Sequence, residues 1–291
     1  MQLHGYTLSG LLGVVEGVTE FLPVSSTAHL RLAEKILGVS LQSGYWKMYS
    51  IVIQLGAILC LPVYFWPRIM TFLKSFFSTK DKLRHPFTLI MLAFVITAIP
   101  SLLLIKVIGH NLADPRVMAW SLIVGGVIMG AVDLMKAKAE KAGESAGNST
   151  INTWHMENMT VFQAAFIGFC QIFSAVFPGT SRSMSTIAGG QLVGLSRAAA
   201  LEFSFFLSMP TMAAAVFYTL LKSLLGHGRN AIGTSHLSHA QWAMMGEGFA
   251  VSFVVAYVSV ALLMRWVRQG GFMPFAVYRV LAGLAVFKFM L

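Results

Sequence analysis

The sequence predicts an all-α polytopic membrane protein built from two inverted-topology repeats, each a re-entrant helix hairpin plus three transmembrane helices. Three observations carry this. Hydrophobic residues make up 56% of the 291 residues and charged residues only 11%, whereas a soluble domain carries about 25% charged residues. Apolar runs long enough to span occur at about 48–66, 86–108, 117–135, 201–221, 242–264 and 272–291, each near the ~20 residues that a bilayer crossing needs. Two further segments, about 6–37 and 160–196, are apolar, then interrupted by Pro and small polar residues, then apolar again.

Taken in order, the first repeat covers 1–135. Its hairpin, 6–37, breaks at Phe21-Leu-Pro23-Val-Ser25-Ser26-Thr27. Broken helices at membrane depth are tolerated only where protein or a watery cavity covers them, so this segment reads as helix–loop–helix. Crossings 48–66, 86–108 and 117–135 follow. Segment 136–158, rich in Lys, Ala, Gly, Ser and Asn, reads as a solvated polar connector. The second repeat, 159–291, opens with the hairpin at 160–196, which turns at Phe177-Pro178-Gly179-Thr180-Ser181-Arg182, and ends with crossings 201–221, 242–264 and 272–291.

The hairpins align with one another. A shift of 155 places Gly13 on Gly168, Glu16 on Gln171, Pro23 on Pro178, Ser25 on Thr180 and Ser26 on Ser181; one inserted residue later, Leu37-Gly-Val-Ser40 meets Val193-Gly-Leu-Ser196. An odd number of crossings per repeat inverts the second half. Inverted repeats meet near the midplane, where broken helices build polar sites, so the two elbows are expected to enter from opposite faces and touch. If the 67–85 loop is cytoplasmic, that side collects eleven Lys and Arg against eight on the other, with Arg182 and Arg279 left at membrane depth. This bias puts both termini outside and opens the first hairpin to the outer face.

Composition also excludes. The net charge of +10 gathers in short loops, as membrane topology requires, and no nucleic-acid-binding motif is present. Cys60 and Cys170 lie in apolar runs and read as packing residues rather than a disulfide or metal site. The N-terminus lacks a basic n-region and a small-residue cleavage site, so it reads as retained. The stretch 226–241, with three histidines, reads as an ordinary outer loop.

Chemistry is concentrated at the two elbows. Glu16 and Glu20 stand i, i+4 on one helix face, and a carboxylate at bilayer depth costs roughly 2.5–3.5 kcal/mol. The pair therefore needs a shared proton, a cation or a basic partner. Beside it come Ser25, Ser26, Thr27 and His29. The second elbow supplies Thr180, Ser181, Ser183, Thr186 and the guanidinium of Arg182, a set that suits a phosphate oxyanion. Phosphoryl transfer is mostly positioning and charge neutralisation. A divalent cation between Glu16 and Glu20 would relieve their repulsion and polarise a phosphate.

These motifs resemble those of the undecaprenyl-diphosphate phosphatases, the bacitracin-resistance proteins. The resemblance runs from Glu16-Gly-Val-Thr-Glu20-Phe-Leu-Pro-Val-Ser-Ser-Thr27 to Pro274-Phe-Ala-Val-Tyr278-Arg279, with Ile53-Gln54-Leu-Gly-Ala57 and Glu202-Phe-Ser-Phe205 as further landmarks. It implies hydrolysis of a long-chain prenyl diphosphate to the monophosphate carrier lipid and inorganic phosphate, which recycles the carrier for cell-wall synthesis and confers bacitracin resistance. It implies a multi-pass protein of the bacterial inner membrane with its site open to the periplasmic face. Glu16 and Glu20 match the family's acidic pair, Ser26 the proposed nucleophile, His29 the catalytic histidine and Arg182 the phosphate-binding arginine. Magnesium or calcium is the implied cation, held by Glu16 and Glu20. Ser25, Thr27, Thr180, Ser181, Ser183, Thr186 and, as an outlying hydrogen bonder, Gln54 complete the substrate-binding expectation. The implied partners are the prenyl diphosphate and the bilayer, and a homodimer is conceivable. Ala28, Met184 and Ser50 depart from the family, which commonly has Gly, Gly and an acidic residue there.

Plainer readings stand beside these. Ser26 could be a helix cap, His29 could itself be the nucleophile, and Arg182 could be a structural partner of a first-hairpin glutamate. Arg279 and Tyr278 read as structural support, and Glu202 as a helix-dipole residue. From another class, a prenyl-phosphate carrier or flippase would use the same architecture. The other large class of lipid phosphatases needs a histidine soon after Ser181-Arg182, and none occurs before His227.

Overall fold

The computed structural model describes residues 2–39, 44–112, 114–142, 150–225 and 237–290. Within them the chain is helical: α1 (Gln2–Thr19), α2 (Ser26–Leu37), α3 (Gly44–Tyr64), α4 (Trp66–Ser78), α5 (Pro86–Leu103), α6 (Ile105–Leu112), α7 (Pro115–Ala142), α8 (Val161–Val176), α9 (Arg182–Leu192), α10 (Arg197–Leu225), α11 (His239–Gly270) and α12 (Met273–Met290), with one 3-10 turn at Met156–Asn158. Six of these, α3, α5, α7, α10, α11 and α12, have the length and hydropathy to cross a bilayer, in the order the apolar runs predict. The broken segments resolve into the pairs α1–α2 and α8–α9.

Local sequence sets several boundaries. Thr160 and Gln163 form a reciprocal capping box at the start of α8, and Ser238 and Gln241 form another at α11, each satisfying two orphan N–H groups. Pro100 sits inside α5, which stops at Leu103 before the short α6; the expected 86–108 run is therefore two helices. The 67–85 loop contains a helix, α4, with Pro67 in its first turn and Phe72 buried. Its Arg68 bonds Glu202 at 2.8 Å and also pairs with Glu157. Glu202 thus has an ionic partner, a firmer anchor than the helix dipole.

Of the expected connector, 136–142 prolongs α7, and 150–158 packs back on the protein. Ile151, Thr153 and Met156 are buried, Thr153 bridges to Leu195, and Gln163 bonds Asn152, Thr153 and the Val193 carbonyl. Apolar residues interleaved with the polar ones give this segment a face to bury. Residues 143–149 and most of the histidine-bearing stretch lie outside the described residues; His239 begins α11.

Packing places the hairpins against crossings from the opposite half. Hairpin helix α1 lies on α11, and α8 lies on α5; α3 packs on α11 and α10 on α5; α7 and α12 run together. Small residues allow the close approach: a Cβ on Gly17 would meet the Ser252 carbonyl at 2.8 Å, and one on Gly168 the Ala93 carbonyl at 2.6 Å. Between lipid-facing helices, association depends on such contact rather than on hydrophobic exclusion.

Candidate active site

Each elbow ends one helix and starts the next. Ser25 (φ 75) precedes α2 and Ser181 (φ 66) precedes α9, and they are the two non-glycine residues at positive φ among those described. Such backbone costs on the order of 1–3 kcal/mol per residue and persists where surrounding structure enforces it. The two elbows thus share one backbone conformation, at Ser25 before α2 and at Ser181 before α9.

Arg279 enforces the two turns. Its side chain is fully buried. It donates to the Pro23 carbonyl of the first elbow at 3.1 Å, the Gly179 carbonyl of the second at 2.9 Å, and the Ser121 carbonyl of α7 at 3.1 Å. Structural support, the plainer reading of this residue, is what its bonds describe. Gly179 (φ +95) has no room for a side chain, since a Cβ there would collide with the Met118 carbonyl.

The elbows touch. Arg182 Nη2 donates to Glu20 Oε1 at 3.0 Å, and Ser26 Oγ donates to Glu20 Oε2 at 2.6 Å. One carboxylate therefore joins the serine of its own hairpin to the guanidinium of the other. Glu16 is 1% exposed and lies against Glu20 within the field of Arg182. Glu16 Oε2 and Arg182 Nη1 are buried without a protein partner. Buried polar groups are almost always satisfied, so a vacant acceptor and a vacant donor beside one carboxylate mark a place for a ligand.

His29, in the first turn of α2, has both ring nitrogens engaged elsewhere than Ser26 Oγ. Its Nδ1 meets the Ser25 carbonyl at 2.7 Å and its Nε2 meets the Tyr278 hydroxyl at 2.6 Å. A carbonyl only accepts, so Nδ1 carries a proton. Tyr278 was not among the expected site residues; its place beside Arg279 in the Pro274–Arg279 motif was the signal that could have found it.

The remaining expected residues divide. Ser25 and Thr27 flank Ser26. Thr180 and Ser185 line an apolar cavity of about 410 Å³ beside the second elbow, and the Ser185 hydroxyl is unpartnered. Ser181 caps its own helix by accepting from Met184 N, and Ser183 is buried just behind it. Thr186 is fully buried and committed to the Arg182 carbonyl and Ser204; its bonds serve helix packing. Gln54 sits half-buried on α3, and no hydrogen bond among the described residues links it to the cluster. Gln171, aligned with Glu16, bonds Thr211 instead. A larger apolar groove, about 1000 Å³, runs along α1, α11 and α12 from Leu22 at the first elbow to Arg265 and Arg268.

Residues 9–285 match the family model for bacitracin resistance protein BacA. Curated relatives named undecaprenyl-diphosphatase include one from Koribacter versatilis, 52% identical over 99% of both chains. Another, from Novosphingobium aromaticivorans, is 40% identical over 94% of this chain and 93% of its own. A third, from Persephonella marina, is 36% identical over 99% of this chain and all of its own. A match across nearly the whole chain, with both elbows inside it, makes this protein a member of the bacitracin resistance protein BacA family.

Proposed function

We propose that the protein is an integral-membrane undecaprenyl-diphosphatase that releases inorganic phosphate from a long-chain prenyl diphosphate at the junction of the two elbows. The observation that carries the reading is the triad of Ser26, Glu20 and Arg182, with a vacant guanidinium nitrogen beside it. Ser26 already donates its proton toward Glu20, so Glu20 is placed to act as general base. Ser26 Oγ attacks the terminal phosphorus, the bond to the bridging oxygen breaks, and the prenyl monophosphate leaves with the proton that Glu20 received. Water then attacks the phosphoserine, giving its proton to Glu20, and the serine recovers a proton as phosphate departs. Arg182 clamps the transferring phosphoryl through Nη1 and holds Glu20 through Nη2, the two roles that the sequence left as alternatives. His29 engages Ser25 and Tyr278, which favours Ser26 over it as nucleophile and leaves it the proton-shuttling role beside Glu20.

A magnesium or calcium ion fits the donor chemistry. Glu16 Oε2 is an orphaned buried acceptor, and magnesium commonly binds through one or two carboxylates plus substrate phosphates. Glu16 and Glu20 would hold it, where its charge would offset that of the diphosphate.

The architecture supports two inverted repeats with boundaries at 1–135 and 159–291. Exchanging the halves turns the α1–α11 contact into α8–α5, α3–α11 into α10–α5 and α7–α9 into α12–α2, all of which occur. Our reading sets the protein in a bacterial plasma membrane, as the family resemblance implies, and the bias in Lys and Arg between the loops supports a site facing outward. Ser121 and Gly125, which flank Arg279, lie in the half of α7 nearer that face. The groove at Leu22 would accept part of a prenyl chain. The whole cluster comes from one chain, so the chemistry does not call for a second copy.

The test is phosphate release from a long-chain prenyl diphosphate by purified protein in detergent. An enzyme works there without a sealed membrane. A carrier leaves the lipid intact and needs vesicles, and that outcome would reverse the assignment.

A further inference from the structure

Residues 278 and 279 of α12 point to different parts of the site. Arg279 enters both elbows. The Tyr278 ring lies edge to edge with the imidazole of His29, ring centroids 5.6 Å apart and planes within 8°, and its hydroxyl lies 2.6 Å from His29 Nε2. The other ring nitrogen is spent on the Ser25 carbonyl, which obliges Nδ1 to carry hydrogen. Neutral His29 is thus the Nδ1–H tautomer, with its one free lone pair directed at a phenolic O–H.

We propose that Tyr278 is a positioning residue for the phosphatase reaction: it fixes the ring orientation of His29 and occupies Nε2 between turnovers. The inference rests on the phosphatase reading given above. Two adjacent residues of one helix then set the whole site, Arg279 through backbone carbonyls and Tyr278 through the imidazole. When the ring becomes protonated, Nε2–H donates to the phenolic oxygen by rotation of the hydroxyl, so the contact survives both charge states. A side chain that reorients would lose the geometry on which proton transfer depends. A tyrosine used only for packing would have no need to place its oxygen on a ring nitrogen. Tyr278 is also 45% exposed, so burial does not oblige its hydroxyl to find a protein partner.

Tyr278→Phe keeps the ring and removes the oxygen. Its expected signature is a fall in kcat of about tenfold, the scale of one lost hydrogen bond at a reacting group, with KM for the prenyl diphosphate changed less than twofold. In the His29→Gln background the same substitution should cost less than twofold, because the residue it positions is gone. A second readout does not depend on turnover. Diethyl pyrocarbonate acylates an unprotonated imidazole nitrogen, so freeing Nε2 in Tyr278→Phe should raise the rate of His29 modification, followed by peptide mass spectrometry, several-fold over wild type. Tyr278→Leu, which carries no hydrogen-bond donor, goes through both assays as a second variant. Unchanged His29 acylation in the two variants, or full kcat in either, would overturn the assignment. So would equal losses from Tyr278→Phe with and without His29. Failure of wild-type protein to release phosphate would instead strike at the phosphatase reading and leave the acylation result standing.

Discussion

Replacing Arg182 by Lys separates its two prongs. The guanidinium gives Nη2 to Glu20 at 3.0 Å, and side-chain exposure is 14% for Arg182 and 6% for Glu20. A lysine keeps a positive charge opposite Glu20, so the fold should survive with little change in melting temperature. It cannot hold Glu20 and a phosphate oxygen at once with the same planar fork. One charge-assisted hydrogen bond is worth about 1.5–3 kcal/mol, which at about 1.4 kcal/mol per decade is roughly 10- to 150-fold in kcat/KM. Arg182→Ala adds a second cost. It leaves Glu20 with Ser26 alone and with Glu16 beside it, and breaking a buried ion pair costs about 3–5 kcal/mol. Melting should fall along with activity. Arg182→Ala combined with Glu20→Gln removes the stranded charge and should recover much of the melting temperature but none of the activity. The assays are phosphate release from a prenyl diphosphate in detergent and thermal unfolding of the same preparations. Arg182→Lys within twofold of wild type in kcat/KM would refute the clamp.

Four further outcomes follow from the geometry. Arg279→Met should abolish phosphate release and lower melting, since it strands the carbonyls of Pro23, Ser121 and Gly179 at roughly 1–3 kcal/mol for each unsatisfied group; a folded, active variant would show that the elbows hold without it. Gly179→Ala should lose at least about tenfold in activity, because its Cβ meets the Met118 carbonyl and its φ of +95 disfavours a side chain. A divalent chelator should suppress phosphate release, with recovery on adding magnesium or calcium, if Glu16 and Glu20 hold a cation; indifference would remove the cation from the reading. His85 caps α5 by accepting from Phe87 N and also contacts Ser75, and burial lowers its pKa from the usual 6.5. The neutral form is favoured in the folded state, so its contribution is fully present above the ordinary value of about 6.5 and is lost as pH falls below it through the lowered folded-state pKa. Melting should drop between pH 7 and pH 5 in wild type and less in His85→Asn; parallel profiles would contradict this.

The crossings and elbows were legible because hydropathy and helix-breaking residues are local properties. The pairing of Arg182 with a first-hairpin glutamate was also legible, since two charges at bilayer depth need one another. Other features were not. The folding back of 150–158 depends on the groove that receives it, beside α8 and the α9–α10 turn. Thr186 read as a ligand group because a hydroxyl looks the same whether it faces a phosphate or Ser204.

The chain's own order of apolar runs, prolines and buried charges determined how many helices cross, where two of them break and which chemical groups gather at the breaks. Direction was left to the folded molecule. Only there did Arg279 clasp both turns, Tyr278 meet His29, and the Ser26 hydroxyl donate its hydrogen bond to Glu20. The reason is physical: hydropathy and backbone propensity act over a few residues, whereas each of these bonds joins side chains and carbonyls whose relative placement exists only once α7, α12 and the two hairpins have packed.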